Sequence, residues 1–186
     1  MHYTLCELLT DVTQNSVEAG ASKITVEFNE TDETLKVNIR DNGKGMDATT
    51  LERIKDPFYT DGIKHPKRRV GLGIPFLIQT VTETGGSWDI ESAPGSGTTV
   101  FMTFDLSNID TPPVGDVPGF FRQILMFQGT AENYDLEIIR TKTQNTANLN
   151  YTILRSELID ALGGIEDADS LVLLGQYLSG LEEPEE

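Results

Sequence analysis

The sequence predicts an α/β domain followed by a small α+β unit, and three observations carry that reading. Apolar residues near the N-terminus repeat at helical steps, later segments alternate apolar and polar residues in pairs, and a Pro/Gly-rich stretch sets them apart from the C-terminal part. At 186 residues, with 38% hydrophobic and 24% charged residues, the chain can bury the core of one or two compact units.

Within Tyr3 to Val17, the residues Leu5, Leu8, Leu9 and Val12 recur three and four apart, which reads as an amphipathic helix ended at Gly20. KITVEFNE and ETLKVNIRD then alternate as two antiparallel strands with one buried face, and the Gly-rich turn DNGKGM follows. A short helix from Ala48 to Ile54 leads into DPFYTDGIKHPKRRVGLG, whose Pro, Gly and basic residues read as a loop. GIPFLIQTVTETGG reads as a second amphipathic helix, and GSWDIES and TTVFMTFDL as two strands joined by APGSG. This set closes the first domain, residues 1–106.

Residues 107–115, with a Pro pair and further Pro and Gly, are expected to be a linker. The second unit, residues 116–186, holds a helix in PGFFRQILMF, a hairpin in YDLEIIRT and LNYTILRS, helices over Glu157 to Leu162 and Ala168 to Leu178, and the acidic tail LEEPEE.

Charge excludes several partner classes. The net charge is −16, with −6 over residues 1–106 and −10 over residues 107–186, and the dense basic cluster is Lys64, Lys67, Arg68 and Arg69. Nucleic acids and anionic membranes are therefore not expected as partners. The single cysteine, Cys6, cannot form an internal disulfide and reads as a packing residue. Without an apolar run near the ~20 residues of a membrane span, or the basic start of a signal peptide, the expected location is cytoplasmic.

Three motifs carry chemistry. In DNGKGM, Asp41 ends a strand where its carboxylate can accept from an exocyclic amine, and Gly43 and Gly45 let backbone pass close to a flat ring; the same turn also builds hairpins and calcium-type loops. In DVTQNSVEAGA, Asp11, Asn15 and Glu18 share one helix face, and Asn15 offers an amide oxygen suited to a hard cation, although a solvated face has the same look. In RRVGLGIPFL, Gly71 and Gly73 precede a helix whose free N–H groups and dipole attract phosphate, a spacing that also serves as a plain cap.

Over residues 1–106, in this order, the motifs resemble the nucleotide-binding domain of the GHKL superfamily, shared by gyrase, the large heat-shock chaperone, histidine kinases and MutL. DVTQNSVEAGA is similar to its N-box, most closely that of MutL, PFYTDG to the F-box, RRVGLGIPFL to the G2 box of histidine kinases, and GSGTTV to the last box. The resemblance implies the Bergerat fold, a two-layer α/β sandwich with a mixed, mainly antiparallel sheet and helices on one face. It also implies bound ATP with Mg²⁺, the metal held by Asn15. Nucleotide contacts are then expected from Asn15 and Ala19, from Asp41, Gly43, Gly45 and Met46, from Gly71, Leu72, Gly73 and Ile74, and from Thr98. The segment from Asp56 to Gly73 corresponds to a lid whose basic residues close on the triphosphate.

Asp11 stands where hydrolysing members usually carry Glu as general base. Its reach is one methylene shorter, so hydrolysis is expected to be slow or absent. Neither His2 nor His65 fits a phosphoacceptor, so autophosphorylation is not expected, and no transducer domain like that of MutL is recognisable after residue 106. The resulting expectation is an ATPase like the histidine kinases that regulates or phosphorylates a protein partner in trans, as a homodimer or as a subunit of a larger complex. An anti-sigma-factor-type serine/threonine kinase and a non-catalytic ATP-bound adaptor are the alternatives.

Overall fold

The computed structural model describes residues 4–56, 73–128, 134–144, 148–165 and 167–183. Helix α1 (Leu5–Glu18) is followed by β1 (Lys23–Thr31), β2 (Thr34–Asp41), α2 (Ala48–Lys55), α3 (Gly73–Glu83), β3 (Ser87–Ala93) and β4 (Gly97–Asp105). Then come α4 (Val117–Leu125), β5 (Asp135–Thr143), β6 (Asn148–Leu154), α5 (Arg155–Leu162) and α6 (Ala168–Glu182).

The strands form one sheet in the order β3-β4-β2-β1-β5-β6, antiparallel throughout except for the parallel pair β1 and β5. Registers Val26↔Ile39, Ile39↔Val100, Val26↔Ile138 and Ile138↔Ile153 line the buried side chains on one face. On that face Phe28 meets Phe120 and Phe121 of α4, with ring centroids 6.0 and 5.7 Å away. The opposite face carries Lys36, Arg40, Glu91 and Thr152, all exposed, as period-two alternation dictates. This is the expected mixed, mainly antiparallel sheet with its core under helices.

The separate unit expected over residues 116–186 does not form; β5 adds directly to β1, and Leu136, Ile138, Ile153, Leu174 and Leu178 belong to the same core as Leu5, Val26 and Ile39. The physical reason is that β1 would otherwise present a free edge, which β5 pairs along its whole length from Lys23↔Asp135 to Thr31↔Thr143. The expected linker is likewise fastened. The carbonyls of Pro113 and Val114 accept from the N–H groups of Leu5 and Cys6 at 2.9 Å each, satisfying two of the free donors at the start of α1. Thr4 and Glu7 complete a capping box at the same end.

Cys6 is 4% exposed on the core side of α1, and burial, with the charge of Asp116 second, pushes its thiol up to about 12. A disulfide reagent added to the native protein at pH 8 is therefore expected to leave Cys6 unmodified and to titrate one thiol per chain after unfolding. Rapid labelling of the native protein would contradict the packing described.

Candidate functional site

Asp41, the last residue of β2, is 7% exposed, and its carboxylate is oriented from three directions. The Ser16 hydroxyl donates to Oδ2 at 2.8 Å, and the N–H groups of Gly43 and Thr98 donate to Oδ1 at 2.8 and 3.2 Å. Ser16 comes from the buried stripe of α1. The other buried hydroxyls of that helix, Thr10 and Thr13, turn back to the carbonyls of Cys6 and Leu9 at 2.8 Å, whereas Ser16 reaches across to the sheet. An ionised carboxylate has about four lone-pair positions. Three are taken here, so one on Oδ2 is left for a ligand N–H donor.

The turns around Asp41 are compressed to the point where only glycine fits. A Cβ on Gly97, whose φ is +84°, would stand 1.9 Å from the Asp41 carbonyl oxygen, and one on Gly45, φ +63°, 1.9 Å from that of Ala93. A Cβ on Gly43 would stand 2.8 Å from the Ala19 Cβ, so the DNGKGM turn lies against the end of α1, where the Lys44 N–H donates to the Ala19 carbonyl at 3.1 Å. Met46 is tied to β3 through its N–H, which donates to the Ser92 hydroxyl at 2.9 Å. Ser92 gives its single proton to the Gly97 carbonyl at 2.9 Å and lies 2.9 Å from the Thr98 hydroxyl, which is then the donor between them.

Helix α3 opens at Gly73, directly over α1. A Cβ there would stand 3.4 Å from the Asp11 Cβ and 3.7 Å from Asn15 Nδ2. The positive dipole end of α3 is thereby brought to the helix face that carries Asp11 and Asn15. Ile74 is buried behind this start, Asn15 and Ala19 are half-buried, and Asp11 is exposed.

Of the sequence-derived site residues, Asn15, Ala19, Asp41, Gly43, Gly45, Met46, Gly73, Ile74, Thr98 and Asp11 fall into two adjoining groups, one at Asp41 and one where α3 meets α1. Gly71, Leu72 and the lid residues Lys64, Lys67, Arg68 and Arg69 lie outside the described residues, as do His2 and His65. Thr98 acts through its backbone N–H on Asp41, while its hydroxyl is engaged with Ser92. Sequence reasoning missed Ser16 and Ser92. Ser16 left a trace, since it sits seven after Leu9 and four after Val12 on the apolar stripe, where a polar side chain requires a partner; Ser92 left none that alternation could separate from an ordinary strand residue.

These residues fit a flat ring bearing an exocyclic amine at Asp41 and an anion, with its cation, where α3 meets Asn15. A family model described as histidine kinase-, DNA gyrase B- and HSP90-like ATPase matches residues 3–108. The sensor histidine kinase ZraS of Klebsiella oxytoca is 36% identical over 99 residues, which make up 50% of this chain and 20% of that protein. The signal transduction histidine-protein kinase AfsQ2 of Streptomyces coelicolor is 26% identical over 113 residues, 60% of this chain and 21% of that one. The chain thus spans about a fifth of the length of these relatives. Among solved structures, the nucleotide-free catalytic domain of histidine kinase ThkA aligns over 53% of this chain and 64% of that one, at 21% identity and a TM-score of 0.39.

Proposed function

The chain belongs to the family of histidine kinase-, DNA gyrase B- and HSP90-like ATPases, and we propose that it binds Mg-ATP and uses the bound state to regulate or phosphorylate a protein partner in trans. The observation that carries this reading is Asp41, a nearly buried carboxylate fixed by Ser16, Gly43 and Thr98 with one acceptor position left. In this reading Asp41 accepts from the exocyclic amine of adenine, and Gly43 and Gly45 give the ring room. The amide oxygen of Asn15 holds Mg²⁺, while the start of α3 at Gly73 and Ile74 faces phosphate. Asp11, on the same helix face, receives the proton of an attacking water or hydroxyl. Bound Mg-ATP supplies the phosphoryl group. The segment from Asp56 to Gly73, with its four clustered basic residues, closes over the triphosphate, and the protein works in the cytoplasm. Among the described residues no helix is long and apolar enough to cross a membrane.

Isothermal titration of the full chain with Mg-ATP and with ADP tests the proposal. Wild type is expected to bind both, and Asp41→Asn to lose at least ~100-fold in affinity, because a site built around a buried acceptor discriminates by a few kcal/mol once that acceptor is blunted. Equal melting temperatures for the two proteins without nucleotide would separate a lost contact from a lost fold. No heat with wild type would remove the nucleotide from the proposal. Binding with neither turnover nor transfer of label to a protein would favour the adaptor reading and count against the catalytic role of Asp11, whereas label on a partner would favour the kinase readings.

A further inference from the structure

The sheet ends at β6, and four features of that edge belong together. Among the described residues β6 pairs with β5 alone, and no other backbone hydrogen bond reaches residues 148–154. The strand reads NLNYTIL, with no charged residue, proline or glycine, and so lacks the devices that keep edge strands from pairing. The edge strand at the other end of the sheet, β3, carries Asp89 and Glu91. The pattern of residues 149–153 of β6 is also symmetric about Tyr151. Tyr151 and Ile153 stand opposite Arg140 and Ile138 on the core face, with Leu149 in line, so antiparallel pairing of two β6 strands about Tyr151 sets Leu149 against Ile153 and Asn150 against Thr152.

The fourth feature comes from α6. Helix α4 lies over β1 through Phe120 and Phe121, and α6 lies over β5 and β6, where Glu182 bonds Arg140 and Tyr151. Gly175 of α6 faces Arg122 of α4. Leu173 and Tyr177, each two residues from Gly175 and so about 200° around the helix from it, occupy the flank beyond β6. They are 53% and 48% exposed, an apolar pair one turn apart beside an unpaired strand.

We propose that β6 is the seam of a two-fold homodimer, in which the β6 strands of two copies pair antiparallel and Leu173 and Tyr177 of each copy close over the joint. Self-complementarity selects a second copy over an unrelated strand, since an isologous contact requires a patch that matches itself under a two-fold rotation. Charge favours the same seam. Two chains of net charge −16 repel, and β6 lets them meet where neither presents a charge. The sheet would become continuous through twelve strands, with β2 and its Asp41 three strands from the seam in each copy. The dimer therefore leaves the Asp41 site open and stands independently of the nucleotide reading.

Sedimentation velocity of the full chain over a concentration series reads the proposal directly. Wild type is expected at the mass of two chains. N150K/T152K places lysines opposite lysines across the seam at positions exposed in one copy, and N150E/T152E does the same with carboxylates; each is expected to run as one chain with an unchanged far-UV spectrum. Mixed in equal amounts, the two variants are expected to return to the two-chain mass, because lysine then faces glutamate. Leu173→Glu with Tyr177→Glu, on the exposed flank of α6, is expected to weaken the dimer as a second test. Wild type at one-chain mass through the whole series, or a two-chain mass retained by the lysine variant, would overturn the proposal.

Discussion

Arg140→Ala is expected to destabilise the protein by about 3–5 kcal/mol, the range for removing one partner of a buried ionic group. Arg140 is fully buried in β5. Its Nη2 donates to Glu30 of β1 at 2.6 Å, its Nε and Nη2 to Glu182 of α6 at 2.8 and 3.0 Å, and its Nη1 to the Thr141 carbonyl at 3.0 Å. Tyr151 of β6 donates to the same Glu182 at 2.6 Å, and the guanidinium lies 4.9 Å from the centre of the Phe28 ring. One side chain thus ties together two core strands, the edge strand and the C-terminal helix. Alanine leaves the carboxylates of Glu30 and Glu182 nearly buried, with Lys142, 3.5 Å from Glu30, as the remaining ion-pair partner among the described residues.

The same cluster predicts how the loss depends on pH. Burial works against the charged form of Glu182, but hydrogen bonds from Arg140 and Tyr151 outweigh it and hold its carboxyl below the ordinary value of 4.5. A depressed folded-state value means that the stabilisation is fully present above the ordinary value and is lost as pH falls through the depressed one. The gap between wild type and Arg140→Ala, measured by urea unfolding, is therefore expected to be constant near neutrality and to narrow below pH 4.5. A gap that widened on acidification would show that the cluster is not held by charge.

Gly97→Ala is expected to cost at least as much as a strained backbone residue, about 1–3 kcal/mol, and to remove nucleotide binding with it. At φ +84° an alanine is strained wherever it points, and here its Cβ meets backbone alone: the Asp41 carbonyl at 1.9 and 2.7 Å and the Asn42 Cα at 2.8 Å. No side chain can swing aside to relieve the contact. The start of β4 must shift from the end of β2, which separates the Thr98 N–H from the Asp41 carboxylate and loosens its orientation. Thermal melting together with titration of Mg-ATP checks both parts, and a variant that binds as wild type does would show that Asp41 needs no support from β4. Gly95, in the same turn, has open space where its Cβ would stand, so Gly95→Ala carries backbone strain alone and serves as the control.

Period-two alternation in KITVEFNE and ETLKVNIRD located β1 and β2 and showed that one face of the pair is buried, since the alternation is itself the record of one face meeting a core. Apolar steps placed α1 to within two residues of its observed limits. The separate second unit was misread because alternation is blind to pairing: YDLEIIRT looks the same whether it pairs within its own hairpin or also against β1, and the parallel contact joins residues more than a hundred positions apart, such as Thr25 and Glu137. Much of the site was legible. Asp41, Gly43 and Gly45 stood in one motif because a tight turn needs its glycines close in sequence, whereas Ser16 reaches the same carboxylate from 25 residues before it, and Ser92, 51 residues after it, ties down the neighbouring Met46 and Thr98.

By itself the sequence determined the local elements, the turn glycines and the ordered motifs of residues 1–106, all set by contacts between near neighbours in the chain or by single-residue stereochemistry. Tertiary structure alone decided that residues 116–186 extend the sheet, that the expected linker caps α1, and that Ser16 and the Thr98 N–H aim Asp41. It also decided that Arg140, an unremarkable basic residue on an alternating strand, is buried among carboxylates. Each of these depends on a partner that the chain supplies from far away, and the identity of such a partner is fixed when the core packs, not by the residues beside it.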